Sequence, residues 1–223
     1  MVEFKAKADK IIKERWDIEV EHYRSKYTFE EVFHIKRGHT GRKTKHEGEI
    51  HGWPMVRGAW CNDRLKMAAI NQAKKSCNGV ISYVGIAADE PKRFKVLNEK
   101  TKSPLKEAGW DETYCRKWCE DNDLLSPVYT SSARGGCWFC HNQSVSQLRL
   151  LRKNYPEYWD LMLKWDAESP VSFRPDGRTL HDVERRFVLE DQGYISPDDR
   201  FRWSYLEEQQ IDVFAAIRRA NDE

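Results

Sequence analysis

No apolar run in the 223-residue chain approaches the roughly 20 residues a helix needs to cross a bilayer. The N-terminus, MVEFKAKADKIIKERW, is charged and has no signal-peptide core. Neither a membrane location nor secretion is expected, and the chain is assigned to a reducing cytoplasm. Charge of one sign is also lacking: the net charge is +2, too small to draw nucleic acid by bulk electrostatics. There is no internal repeat, no low-complexity tract, no Ser-His-Asp order, no kinase signature and no Walker loop.

What is present points to a folded protein. Hydrophobic residues make up 39% and charged residues 33%, and nine each of Trp, Tyr and Phe argue against disorder. The length suits one domain, or a domain with an appendage. Six cysteines in a reducing compartment are expected as thiols or metal ligands rather than disulfides.

Val2 to Trp16 reads as an amphipathic helix with Phe4, Ala8, Ile11 or Ile12, and Trp16 on one face. Asp17 to Glu21 alternates and reads as a short strand. A first strand and loop normally precede such a helix in an α/β domain, so an upstream segment is expected. Tyr27 to Ile35 reads as a short helix. Lys36 to Pro54 is rich in Gly, Lys, Arg and His and reads as a mobile basic loop, either a solvated surface or a lid over an anionic ligand. Asn62 to Ser76 reads as a helix capped by Asn62 or Asp63, which puts Cys61 at its N-terminus, where the helix dipole suits a ligand or nucleophile. Gly79 to Ala87 is the longest apolar stretch and reads as a strand buried on both faces of a parallel sheet. Asp89, Glu90, Lys92 and Arg93 follow its carboxyl end, where open α/β sheets bind ligands. Lys92 and Arg93 could meet phosphate or sulfate, and Asp89 or Glu90 a hydroxyl or cation.

Asp111 is a candidate N-cap for a helix to about Asn122, on which Cys115 and Cys119 share a face. Arg134-Gly135-Gly136-Cys137-Trp138-Phe139-Cys140-His141 then offers two thiols two residues apart behind two glycines. Such a pair can direct both sulfurs at one centre, as half a metal site or a redox dithiol. A thioredoxin-type dithiol opens a helix after a strand, whereas this pair follows a Ser/Gly loop and two further cysteines, which favours metal or cluster binding. Spacing alone does not separate zinc from iron–sulfur. Cys61 is a fifth candidate, Cys77 reads as structural, and His141 is an optional nitrogen ligand. Helices are expected over 143–153, from Tyr155-Pro156 to about Asp166, over 180–192 ending at Gly193, and over 204–220. Residues 154–223 thus read as a small helical appendage to a domain over 1–153.

Several segments together carry a resemblance: Tyr83 to Arg93, Ser103-Pro104-Leu105 with Gly109-Trp110, Cys115 and Cys119, and Arg134 to Cys140. In this order they resemble the phosphoadenosine phosphosulfate reductase-like family of the adenine nucleotide alpha-hydrolase superfamily, in its phage and mobile-element branch. They are also similar to the sulfur-transfer ATPases of DNA phosphorothioation. The likeness covers roughly residues 3 to 155. It implies a bacterial or phage-infected host cytoplasm and an α/β fold, a partial doubly wound parallel sheet that binds an adenine nucleotide, with the helical C-terminal appendage added. The implied chemistry is sulfonucleotide reduction, an oxidoreductase activity, or ATP-dependent sulfur transfer. Trp60-Cys61 with Leu65-Lys66 looks like the family's Cys-x-x-x-Leu-Lys segment. Carried over, Cys61, Cys119, Cys137 and Cys140 are the ligands of a [4Fe-4S] cluster, with Cys115 in reserve, and Arg93 and Arg134 face the anionic ligand. The family's Ser-Gly-Gly-Lys-Asp-Ser phosphate loop does not occur, so an upstream segment or a partner chain is expected to supply it, or the chain is a degenerate binding module. No catalytic cysteine lies near Glu223, and no catalytic residue is assigned. The competing expectation is a zinc-stabilised, non-catalytic module binding nucleic acid or protein, with zinc held by Cys115, Cys119, Cys137 and Cys140.

Overall fold

The computed structural model describes residues 2–38, 46–54, 59–75, 79–131 and 135–197. The described chain is mainly helical, with one two-stranded parallel sheet. It divides into two units that interleave along the sequence: Met1–Lys26 with Arg64–Gly135, and Tyr27–Asp63 with Gly136–Glu223.

The first unit holds α1 (Val2–Trp16), α3 (Ala68–Lys75), β1 (Ser82–Tyr83), β2 (Thr101–Lys102), α4 (Pro104–Glu107), α5 (Glu112–Asp121) and α6 (Val128–Ser131). A turn of π-helix, Asn62–Met67, runs into α3, so Asn62 lies inside the helical stretch and is not its cap. Strands β1 and β2 pair in parallel, Ser82 opposite Thr101 and Tyr83 opposite Lys102. The sheet is therefore parallel, as the sequence suggests, but the strand expected over Gly79–Ala87 is only Ser82–Tyr83. Its expected burial on both faces also fails, because Ile81 and Tyr83 are exposed. A parallel strand extends and buries itself only where neighbours cover it, and among the described residues β1 pairs with β2 alone. The buried part of the stretch is its end. Ile86 and Ala87 are sealed in, and the Ile86 carbonyl accepts the buried Ser103 hydroxyl at 2.6 Å. Asp17–Glu21 is irregular rather than a strand: Asp17 has φ 54°, and Ile18 stands exposed without a ladder. Helix α1 forms where expected and buries no residue completely; its Trp16 stacks on Trp118 of α5 at 6.1 Å.

The second unit holds α2 (Phe29–His34), α7 (Val145–Asn154), α8 (Pro156–Glu168) and α9 (Leu180–Asp191). Thus the helices expected as a C-terminal appendage share a unit with Tyr27–Asp63. The segment expected over 204–220 lies outside the described residues. Each helix start is chemically marked. Thr28, Ser144 and Thr179 form reciprocal capping boxes with Glu31, Gln147 and Asp182. Pro156 opens α8, where its missing N–H costs nothing. Gly193, at φ 75°, takes the left-handed position that ends α9.

These helices surround an aromatic core of Phe29, Phe33, Trp53, Trp165 and Phe173. Trp53 overturns the reading of Lys36–Pro54 as a loop on the surface. Residues 39–45 lie outside the described set, but Lys36 bridges Ile50 in antiparallel fashion, and Gly52, Trp53 and Pro54 are buried. The cause is an acceptor supplied far away in sequence: the buried Asp166 carboxylate takes the Trp53 indole N–H at 2.8 Å. Gly52 approaches α8's end so closely, at φ 61°, that a Cβ there would overlap the Ser169 hydroxyl and stand 2.9 Å from Pro170 Cδ.

Candidate functional site

Cys137 to Cys140 form a tight turn in the second unit, closed by the Cys140 N–H donating to the Cys137 carbonyl at 3.0 Å. The Gln143 side chain fixes the turn, since its Nε2 donates to the Cys137 carbonyl at 2.8 Å and to the Trp138 carbonyl at 2.7 Å. The two residues between the cysteines are anchors. Trp138 stacks on Tyr158 and Trp165 at 4.7 and 5.7 Å, and Phe139 stacks on Phe29 at 3.9 Å. The half-buried thiols are thus carried on a backbone whose neighbours are locked into the core. Cys61 follows Trp60, whose ring lies 5.0 Å from the same Phe29. One phenylalanine therefore joins the segments of three expected ligands.

Neither glycine before the turn uses left-handed backbone. Gly135 instead allows close approach in its own unit, since a Cβ there would stand 3.2 Å from the Tyr129 hydroxyl. Arg134 and Cys77 lie outside the described residues.

His141 is buried, with 4% of its surface exposed, and its Nε2 is sealed from solvent without a hydrogen-bond partner. A buried polar atom left unpaired costs about 1–3 kcal/mol. Burial and then the Arg174 cation push the imidazole below its ordinary value of 6.5, which keeps it neutral and able to accept. Arg174 donates from a guanidinium nitrogen to the His141 carbonyl at 2.5 Å and lies over the Phe173 ring at 5.1 Å. Burial and then Arg178 depress its own value, and the negative charges of Asp176 and Cys140 act in the opposite sense. The sequence offers His141 as an optional nitrogen ligand, whereas it assigns no role at this site to Arg174 or Gln143. The local signal for Arg174 was the charged turn Arg174-Pro175-Asp176-Gly177-Arg178 within an assigned loop.

Cys115 and Cys119 lie in the first unit, on one face of α5 as expected, half-buried. Asp111 caps this helix, accepting the Tyr114 N–H at 2.7 Å, and Asp89 accepts the Glu112 N–H at 3.2 Å. Burial, and then the charges of Cys119, Asp111 and Asp89, push the Cys115 thiol above its ordinary 9.0; burial raises Cys119 as well. Both therefore stay protonated at neutral pH unless a metal displaces the proton. Among the described residues, no three His, Cys, Asp or Glu side chains are already gathered for a metal ion.

The expected anion-binding residues follow β1 in the first unit. Arg93 is taken up by Glu90, with contacts of 2.6 and 2.7 Å to its two carboxylate oxygens, and this hydrogen bonding holds the Glu90 carboxyl below 4.5. Glu90 also accepts the Ala87 N–H at 3.1 Å, so it braces the turn after β1. Lys92 is exposed. A recess of about 320 Å³ lies at the end of β2, lined by Thr101, Lys102, Ser103 and Lys106 with Glu99 and Glu107. No described helix is long and apolar enough to cross a membrane. No protein-family model, curated protein or solved structure matches the chain.

Proposed function

We propose that this chain is a phosphoadenosine phosphosulfate reductase-like protein that acts on an adenine nucleotide in sulfur chemistry and carries a metal centre at Cys137 and Cys140. The observation that carries the reading is the Cys137–Cys140 turn itself, braced by Gln143, beside the Arg174 cation and the unpaired His141 nitrogen. Paired soft sulfur donors with a nearby cation suit a thiolate-bound metal, whose net negative charge the cation offsets. Cys137 and Cys140 would hold two corners of a [4Fe-4S] cluster, which would supply electrostatic or sulfur-carrying chemistry when bound. Gln143 fixes the turn's carbonyls, Trp138 and Phe139 exclude water from its inner side, and Arg174 places positive charge beside the thiolates.

The finer fold in this proposal is a doubly wound sheet of which β1 and β2 form a part. The exposed Ile81 and Tyr83 beside β1 are apolar surface that further strands would cover. The same proposal assigns the phosphate loop to another segment or a partner chain. In this proposal the adenine nucleotide sits beyond the carboxyl ends of β1 and β2, near Lys92 and Arg93 after β1 and the recess that Lys102 and Lys106 line at β2. In the reductase version, a thiolate attacks the sulfur of the activated sulfate, an S–S bond forms, the sulfur–oxygen bond breaks, and the nucleotide leaves. In the ATP version, adenylation precedes sulfur transfer. Action in the cytoplasm of a bacterium or a phage-infected cell belongs to the same proposal.

One observation favours a second reading, a zinc-stabilised module without catalysis: the turn is tied into the hydrophobic core through Trp138 and Phe139, as a structural metal site would be. Anaerobic purification with iron, sulfide and zinc analysis separates the two. About four irons with matching sulfide and tight adenine-nucleotide binding are expected. One zinc with no nucleotide binding would establish the second reading, and a metal-free protein would refute both.

A further inference from the structure

We infer that the open edge of β1 is the seat of a second copy of this chain, the two β1 strands pairing antiparallel about a two-fold axis at Ser82. The inference stands on the first unit alone and is independent of the metal centre and the nucleotide.

The backbone of β1 shows which side is open. Ser82 and Val84 donate their N–H groups to the Lys100 and Lys102 carbonyls at 2.8 and 2.9 Å. Successive residues of a strand turn their backbone groups to opposite sides, so Ile81 and Tyr83 offer theirs away from β2. Among the described residues none hydrogen-bonds to those groups. The side chains at the same two positions are apolar and exposed, Ile81 at 46% and Tyr83 at 67%. Open edges are ordinarily blunted by a lysine, a proline or a bulge. Val80-Ile81-Ser82-Tyr83-Val84 carries neither charge nor proline, so this edge is left ready to pair.

The occupant follows from the sequence of the edge, which reads nearly alike in both directions. Gly79-Val80-Ile81-Ser82-Tyr83-Val84-Gly85 sets a large apolar residue, a valine and a glycine at equal distances on either side of Ser82. In a two-fold contact residue i meets j and j meets i. With the axis at Ser82, Ile81 lies opposite Tyr83 of the partner subunit, and Val80 opposite Val84 of the partner subunit. Each Ile81–Tyr83 pair then exchanges the backbone bonds that one copy leaves unmade. Its side chains form an aromatic–β-branched pair, which stabilises antiparallel strands. An axis at Ile81 or at Tyr83 would instead set the other exposed side chain against a glycine. Because each copy gives up the same edge, the contact closes at two copies rather than growing into a fibre.

The test is sedimentation equilibrium of the full chain, under reducing conditions, from about 1 to 500 µM. A monomer–dimer equilibrium with a dissociation constant on the order of 1–100 µM is expected, since paired edges this short bury little area. Tyr83→Lys and Ile81→Lys each bring two like charges to the axis and should raise that constant about tenfold or more. Circular dichroism checks that both variants keep their fold. Ser82→Cys reads the register separately. The two Ser82 residues face each other as a non-hydrogen-bonded pair with Cα atoms about 4.5 Å apart, within reach of a disulfide. Mild oxidation should therefore link two copies through the introduced thiols, found as one cross-linked peptide by mass spectrometry. Val80→Cys is the control and should not link to itself, because its position meets Val84. A wild type that stays monomeric throughout the range overturns the inference, and so does a dimer that both lysine variants leave unchanged. Failure of Ser82→Cys to link overturns it as well, and this result decides should the lysine variants not fold.

Discussion

Asp166 is where a single change should do most harm to the second unit. Its carboxylate is buried and fully engaged. One oxygen accepts the Trp53 indole N–H at 2.8 Å, and the other accepts the Leu180 and His181 backbone N–H groups at 2.9 and 3.1 Å and lies 2.7 Å from His181 Nδ1. The two amides are the first of α9, so the negative charge also opposes the positive end of that helix. Asp166→Ala removes all of these at once and leaves a buried indole and two helix-end amides without acceptors. An orphaned buried donor costs about 1–3 kcal/mol, and losses of this kind sum less than additively, so about 3–5 kcal/mol is expected. For a chain of this size that lowers Tm by roughly 10 °C. Urea unfolding followed by tryptophan fluorescence measures it. Asp166→Asn should fall between, because one face of its amide presents N–H groups to donors. The exposed Glu168→Gln serves as a control and should change stability by less than about 1 kcal/mol. If Asp166→Ala costs no more than that control, Asp166 does not tie Trp53 and α9 together.

Four further outcomes are expected. Gly52→Ala should destabilise by about 2–4 kcal/mol, because it adds left-handed strain to a collision with Ser169 and Pro170, and Ser169→Gly should recover part of the loss. Arg149 and Arg186 outweigh the burial of Glu190 and hold its carboxyl below 4.5. Its stabilisation is thus present above pH 4.5 and lost as pH falls through the folded value, and Glu190→Gln should flatten the acid limb of Tm against pH. The hydrogen bond that His34 Nε2 donates to Glu168 raises His34 above 6.5, so this pair stabilises below pH 6.5 and fades as pH rises through the raised value; NMR titration of His34 checks the direction. Arg93→Ala should weaken adenine-nucleotide binding in an equilibrium titration with little change in Tm, since the Arg93–Glu90 pair is largely solvated; unchanged affinity would remove Arg93 from the site.

Where the determinants are local, the sequence could be read. Asp111 before α5, Tyr155-Pro156 before α8 and Gly193 after α9 act within a turn of their own helix, and the structure uses each at its expected place. The placement of Cys115 and Cys119 on one face follows from helical spacing in the same way. Gly79–Ala87 fails for the opposite reason, since the length of a strand is set by what pairs with it, and β2 offers only a two-residue match. Trp53 sits in a charged stretch, and its burial depends on Asp166, 113 residues away. His141 and Arg174 are 33 residues apart, so nothing local to either reveals that one guanidinium serves the carbonyl beside Cys140.

The interleaving of the two units has a consequence for synthesis. On the ribosome, Phe29, Phe33, Trp53 and Trp60 emerge early, but the Trp165 and Phe173 rings that complete their core come from the last part of the described chain. At about 5–20 residues per second, the 113 residues from Trp53 to Asp166 take roughly 6–23 s. Throughout that interval the early aromatic segment has no native cover, while the Arg64–Gly135 part of the first unit emerges between the two halves of the second. Nascent chains arrested before α8 should therefore expose these rings to chaperones and proteases, and chains released after α9 should not.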